Sequence, residues 1–464
     1  MSWNNSRLGP TRRGLLASTL AVGAWCVLGR ARAQGADSLF GGLRGALDAT
    51  HEGLVPGALD DQSALLSEAM AKAELAGQAL FLPPGRYAIA ELELPNRTHL
   101  LGVPGETQLA FRGGSYMLRA RNVARLRMDG VTIDGLGLPL GDGVPGLLDA
   151  DVIEDLVITD CAIYGGAAAA ASLRACAGRV ERSRISGART VGLDLMQSRG
   201  MAVVDNVVAD CGDTGIFVGR DEEGPDDTIV RGNRVSGIRA ASGGTGQYGN
   251  GINLAKANGV IVADNRLDDC AFSAIRCFSS DNIQVTGNVA TRSGEVAIYV
   301  EFAYEGAIVA DNLIDDAAYG ISFANLMTYG GRLAVCSGNL IRNISGVPRL
   351  PRGDDPLLGA GIGAEADIAI SGNVIDTAQM GLELGWGEYL RNVTATGNVI
   401  RGCPVGVGVT VVEGSGPALI SDNLIAGAEK GAILGMRWAK VVTGDLAKGA
   451  ADFPQLTIEG NNVT

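Results

Sequence analysis

Ala307-Ile308-Val309-Ala310-Asp311-Asn312-Leu313-Ile314 joins two short apolar runs through an Asp-Asn pair. That pair, as Asp-Asn or Gly-Asn, returns at Asn206, Asn233, Asn265, Asn288, Asn312, Asn339, Asn373, Asn398, Asn423 and Asn461. A mark repeated every 22 to 38 residues or so is the signature of a solenoid, in which each repeat is one turn of a stack. About 9 or 10 residues after most of these asparagines a small residue precedes an apolar one, as in Gly215-Ile216, Ala297-Ile298 and Gly381-Leu382, and opens a second strand. Ile298 and Val300 then alternate with Tyr299 and Glu301, the period of a strand with one buried face. Runs this short, rich in Val, Ile and Gly, do not suit helix-pair repeats. They predict an all-β chain, a right-handed parallel β-helix of about 10–13 coils.

Stacking explains the composition. Coils pile up at the strand spacing of about 4.8 Å, so each register position touches its own equivalent in the next coil. An asparagine at a corner can accept from one coil and donate to the next, and it tolerates the left-handed backbone of a tight bend. The 68 glycines and the 5% aromatic content fit narrow coils with little room for rings. Cys211, Cys270 and Cys403 each lie five residues after their asparagine, where other coils carry Ser293, Ala317, Ile344, Ala378 and Ala428. They read as small interior residues rather than as a disulfide framework or a metal site.

The first residues set the compartment. Thr11-Arg12-Arg13-Gly14-Leu15-Leu16 opens an uncharged apolar run to Leu28, and Ala31-Arg32-Ala33 follows as a small-x-small cleavage site. This pattern resembles a twin-arginine export signal with cleavage after Ala33, which implies a bacterial periplasmic or secreted protein and the twin-arginine export machinery as a partner. Without residues 1–33, which hold five arginines and no acid, 33 Lys and Arg face 51 Asp and Glu, a net of −18. Nucleic acid is therefore an unsuitable partner. No later segment reaches the 18 or so apolar residues of a membrane span. Asp60-Asp61-Gln62, then Ser63 to Leu75 with helical periodicity and Gly77 behind it, predict an N-terminal capping helix that shields the open end of the stack. The expected division is a leader over 1–33, a cap and first strands over 34–110, and coils over 111–464, with Trp438 to Ala451 as an irregular cover at the far end.

Asp60 to Gly102, with Leu-Pro-Pro-Gly-Arg-Tyr at 82–87, resembles the opening module of pectate-lyase-like β-helix proteins. The leader together with the Gly/Asp-Asn coils is similar to a family of twin-arginine-translocated repeat proteins of uncharacterised function. The resemblance implies the fold and the export route and no activity, since fold alone does not choose a chemistry. Polygalacturonases carry Gly-His-Gly and Arg-Ile-Lys, and mannuronan epimerases Asp-Pro-His; all three are missing here. The two histidines, His51 and His99, both precede the coils that carry the asparagine mark, so any base on those coils must be Asp, Glu, Tyr, Lys or Arg.

A site follows from loop lengths. Asn233 to Ile252 takes 19 residues and Asn339 to Ile362 takes 23, so two loops, Arg239 to Asn250 and Gly346 to Ala360, grow from one edge. They are four coils apart, roughly 19 Å, and would bracket a floor of second strands. Its outward column is expected to run Asn253, Arg276, Tyr299, Ser322, with Lys256 and Glu301 nearby and Phe278 and Tyr248 as further contacts. Arg276 would neutralise a uronate carboxylate while Tyr299 or Glu301 moves a proton, giving β-elimination or epimerisation. Glu365 and Glu383 project from the same face and suit glycoside hydrolysis, with Trp386 and Tyr389 as a sugar platform or simply as loop packing. Asp268-Asp269 and Asp315-Asp316 read first as turn residues and second as calcium ligands. Asp226-Asp227 reads as a solvated turn. Two functions stay open: an enzyme acting on polysaccharide, and a non-catalytic β-helix that binds glycan or supports the cell envelope.

Overall fold

The computed structural model describes residues 45–324, 330–351 and 357–464. The leader, with Arg12, Arg13 and Ala33, and the loop residues Arg352, Asp354 and Asp355 lie outside the described residues. Forty-one strands among those described form one continuous sheet, and its pairings are parallel except for a C-terminal hairpin. The strand that follows the asparagine corner keeps unbroken register from Thr132 through Val207, Arg266 and Leu340 to Asn462, thirteen rungs in all. Arg86 and Gln108 supply two earlier rungs beneath the cap. This is a parallel β-helix, as the repeat predicts.

The asparagines form one buried ladder. Asn312 Oδ1 accepts from the backbone N–H of Asn288 at 2.9 Å and from its side-chain Nδ2 at 3.0 Å. Asn312 Nδ2 in turn donates to the Val285 carbonyl at 2.9 Å and to Asn339 Oδ1 at 3.0 Å. The same pattern runs from Asn206 to Asn461 and tapers at its start into Ser183, whose hydroxyl accepts from the Cys161 N–H. One expectation needs correcting. The left-handed residue is the one before each asparagine, with φ of 56° at Asp205, 68° at Gly232 and 58° at Asp311. That residue turns the chain, and the asparagine can then aim its amide along the stack. The choice between Asp and Gly also has a cause. Gly232, Gly287, Gly338 and Gly460 each stand over an aspartate of the coil before, whose Oδ1 fills the space a Cβ would need.

The cysteine column is confirmed by register: Ile238, Cys270, Ser293, Ala317, Ile344 and Ala378 stack in order. The described cysteines are buried and unbridged, and desolvation raises the Cys211 and Cys270 thiols to about 12. At the N-terminal end a helix spans Ser63–Ala76 and stops at Gly77, φ 64°. Asp61 Oδ1 accepts from the Ser63 N–H and hydroxyl at its start. Leu66, Ala69, Met70 and Ala73, spaced on one helical face, join the stack's core. At the other end the expected irregular cover is ordered. Gly431–Arg437 pairs antiparallel with Lys440–Asp445, and the turn between them is Trp438-Ala439.

Candidate active site

The second strands carry an outward column that is read directly from register. Asn253 stacks on Arg276, Arg276 on Tyr299, Tyr299 on Ser322, Ser322 on Gly363 and Gly363 on Glu383. Gly363 is the notch in this column. A Cβ there would collide with the hydroxyl of Tyr319, which crosses the gap and donates to Glu383 Oε2 at 2.7 Å. A pocket of about 160 Å³ opens at this point, and Tyr299, Tyr319, Ser322, Glu365, Glu383 and Trp386 line it together with Leu357 and Leu358.

The electrostatics of the pocket centre on Glu383. Its carboxyl is held among packed coils, where desolvation favours the protonated form, while the Tyr319 hydrogen bond favours the anion. Desolvation prevails and pushes the group up to about 7. Tyr319 is driven well above its ordinary value by burial and by the adjacent Glu383, so it stays a hydroxyl at neutral pH. The pocket therefore holds a carboxyl poised near neutrality and a phenol that acts as donor. Far up the same column Asp194 is raised to about 6, again by burial, with the Ser172 hydroxyl acting against the shift.

Several expected site residues point elsewhere. Arg276 is engaged by Glu301 through both Nε and a terminal nitrogen, and the pair is largely buried. Each charge meets the other, and neither residue lines the pocket. Phe278 packs edge-on against Phe302 at 5.1 Å, and the Arg276 guanidinium lies 5.1 Å from its ring centre. Lys256 Nζ donates to the Asp221 carbonyl at 2.9 Å. Asn253 is buried under the first loop, where its Nδ2 meets the Gln247 carbonyl at 3.5 Å. Tyr248 is 38% exposed and does not line the pocket. Trp386 does line it, while Tyr389 packs against Trp438.

The two long loops meet instead of standing apart. Asp269 accepts from Arg239 of the first loop at 3.0 Å and from Arg349 of the second at 2.9 Å. The Arg349 N–H also donates to the Gly294 carbonyl at 2.8 Å. Arg349 of the second loop thus reaches the upstream coils, while Leu357 and Leu358 of the same loop line the downstream pocket, over Tyr299 to Glu383.

Sequence reasoning missed Tyr319. It sits just before Gly320-Ile321, at a position filled by Val296 one coil earlier. The available signal was a run of apolar residues where an outward position should be polar: Val296, Tyr319, Met380 and Val405 form a small cluster outside the main core, with Leu357 and Leu358 packed on it.

The acidic pairs resolve differently from one another. Asp269 and Asp316 have φ of 56° and 65°, so turn conformation accounts for them. Asp268 pairs with Arg292, and Asp315 with Arg342 at 2.7 Å. Among the described residues no group of three or more His, Cys, Asp or Glu side chains is placed to hold a metal ion. Asp226 is not solvated but fully buried. Its carboxyl is raised by desolvation, and Arg220 stands 3.9 Å away.

The chain can now be compared with known proteins. A search of curated proteins finds no match. Among solved structures it is similar to an alginate lyase in complex with a trisaccharide, at 13% identity and TM-score 0.50, covering 90% of this chain and 95% of that one. It is also similar to the catalytic unit of an α-1,3-glucanase from Streptomyces thermodiastaticus, at 16% identity and TM-score 0.47, covering 90% and 69%. A third is a mannuronan C-5 epimerase module from Azotobacter vinelandii, at 14% identity and TM-score 0.41, covering 90% and 99%. At such identities the likeness is one of fold. The family model for the right handed beta helix region matches residues 111–248, 223–343 and 248–425, well over half of the sequence. With the stacked coils and the asparagine ladder already in place, the chain belongs to the right-handed β-helix family.

Proposed function

We propose that this protein cleaves a polysaccharide in the Tyr319–Glu383 pocket, with Glu383 as general acid. The observation that carries the reading is a carboxyl in the pocket wall, hydrogen-bonded by Tyr319 and raised to about 7. General acids work best with a pKa near the operating pH, and glycoside hydrolysis asks for a raised carboxyl facing a second carboxylate. Glu365 lines the same pocket and supplies that second group. The uronate lyase or epimerase reading rested on Arg276 neutralising a substrate carboxylate, and Arg276 is engaged by Glu301. It also takes Tyr299 or Glu301 as the base, and Glu301 is paired with Arg276 and does not line the pocket.

The test is a screen of the purified protein against neutral and uronic-acid polysaccharides, with and without calcium, following reducing ends and the absorbance of unsaturated products. New reducing ends without unsaturated product are expected. Unsaturated product would establish elimination instead, and binding without turnover across the panel would make the pocket that of a non-catalytic glycan-binding or envelope protein.

The compartment belongs to the same proposal: a leader over 1–33 read by the twin-arginine machinery, a cap over 34–110, coils over 111–464, and a periplasmic or secreted destination. Among the described residues no helix is long and apolar enough to cross a membrane. Replacing Arg12 and Arg13 together by Lys is expected to hold the uncleaved protein in the cytoplasm. Undiminished recovery of cleaved protein from the periplasm or medium, measured by cell fractionation, would refute the twin-arginine route.

A further inference from the structure

Trp438 is hard to explain as a packing residue. It occupies the first position of a two-residue hairpin turn with φ 53°, where turn chemistry favours Asn, Asp or Gly and a bulky side chain is strained. It is also 45% exposed, although one edge of its indole is seated closely. Gly387 provides that seat, since a Cβ there would collide with the six-membered ring. Trp438 stands 5.7 Å from Trp386, centre to centre, at an interplanar angle of 72°, and 6.5 Å from Tyr389. Trp386 lines the pocket, so the aromatic surface continues from the pocket wall out onto the hairpin. Strain kept at an exposed aromatic residue beside a cleft is what a binding role accounts for and a turn role does not.

We infer that the exposed part of the Trp438 indole is a second sugar subsite, one that stacks on the apolar face of a pyranose ring next to the residue held in the pocket. This rests on the proposed reading of the pocket and adds to it the ligand class: a chain of sugars, long enough to span pocket and hairpin, rather than a single sugar. An indole face offers a wide apolar surface at little cost in conformational freedom, which suits a ring that carries C–H groups on one face. The hairpin then has a task beyond covering the last coil, since it carries the subsite.

The sequence contains four tryptophans, Trp3, Trp25, Trp386 and Trp438, so a full-length chain with Trp3→Phe and Trp25→Phe emits only from the candidate site. Titration of that chain with pullulan, laminarin, xylan and alginate is expected to shift the emission with at least one of them. By calorimetry, Trp438→Ala then weakens that polymer's binding tenfold or more, while a monosaccharide from the same polymer binds both proteins equally. A general folding defect would weaken both ligands together, and that result overturns the subsite. Equal polymer affinity with and without Trp438 also overturns it and leaves the pocket standing. Absence of binding by any of the four polymers overturns the pocket reading and the subsite with it.

Discussion

Asn312→Ala lowers the stability of the stack by about 3–6 kcal/mol, read as the shift of the denaturant midpoint. The substitution leaves the buried Asn288 N–H without its acceptor and removes a donor from the Val285 carbonyl and from Asn339 Oδ1. Each buried group left unsatisfied costs about 1–3 kcal/mol, and the vacated volume adds to that. Position along the ladder supplies the control. Asn206 lies where the ladder gives way to Ser183, whose hydroxyl already accepts from the Cys161 N–H. Asn206→Ser keeps an acceptor for the Ser183 N–H, so its cost should be less than half that of Asn312→Ala. A loss under about 1 kcal/mol for Asn312→Ala would mean that water or backbone satisfies these groups as well as the side chain does.

Glu383→Gln removes 100-fold or more of kcat, the usual contribution of a positioned acid being about 10²–10⁴. The pH dependence makes the prediction sharper. With the carboxyl at about 7, turnover falls tenfold per unit above that value. In Tyr319→Phe the hydrogen bond that favours the anion is gone, so the alkaline limb moves up, by roughly one unit for a bond to a charged acceptor. A downward shift would assign Tyr319 the opposite effect. Stability follows the same proton. Folding raises this group from 4.5 to about 7, so the folded chain keeps a proton that the unfolded chain releases. The stability it contributes is complete below 4.5 and is lost as pH rises through 7. The loss amounts to about 3 kcal/mol, and Glu383→Gln should be free of it, unfolding at higher temperature than the parent at pH 8 and showing little advantage at pH 4.

The ladder and the outward column were legible in the sequence because a parallel stack places like on like. Asn312 needs Asn288 and Asn339 beside it, and Gly-Ile or Ala-Ile marks where each second strand begins, which set Asn253, Arg276, Tyr299 and Ser322 in line. Contacts that cross columns or loops left no such mark. Arg276 stacks on Tyr299, but its charge meets Glu301, which belongs to the column of Phe278. Asp269 and Arg349 are 80 residues apart, and nothing in the repeat announces their bond. Tyr319 was hidden by its neighbours: a position held by Val296 in the preceding coil looks like packing until Gly363 makes room for a hydroxyl. The left-handed residue was assigned one place late, to the asparagine, because Asn tolerates that conformation and only the ladder shows that its side chain is needed elsewhere.

A titration of the Glu383 carboxyl carbon by ¹³C NMR, assigned by its loss in Glu383→Gln, bears most directly on the pocket as a proton-transfer site. A midpoint near 7 that rises in Tyr319→Phe is the expected result. A midpoint near the ordinary 4.5 would leave Glu383 ionised throughout the neutral range, with no proton to give, and would contradict its role as the acid.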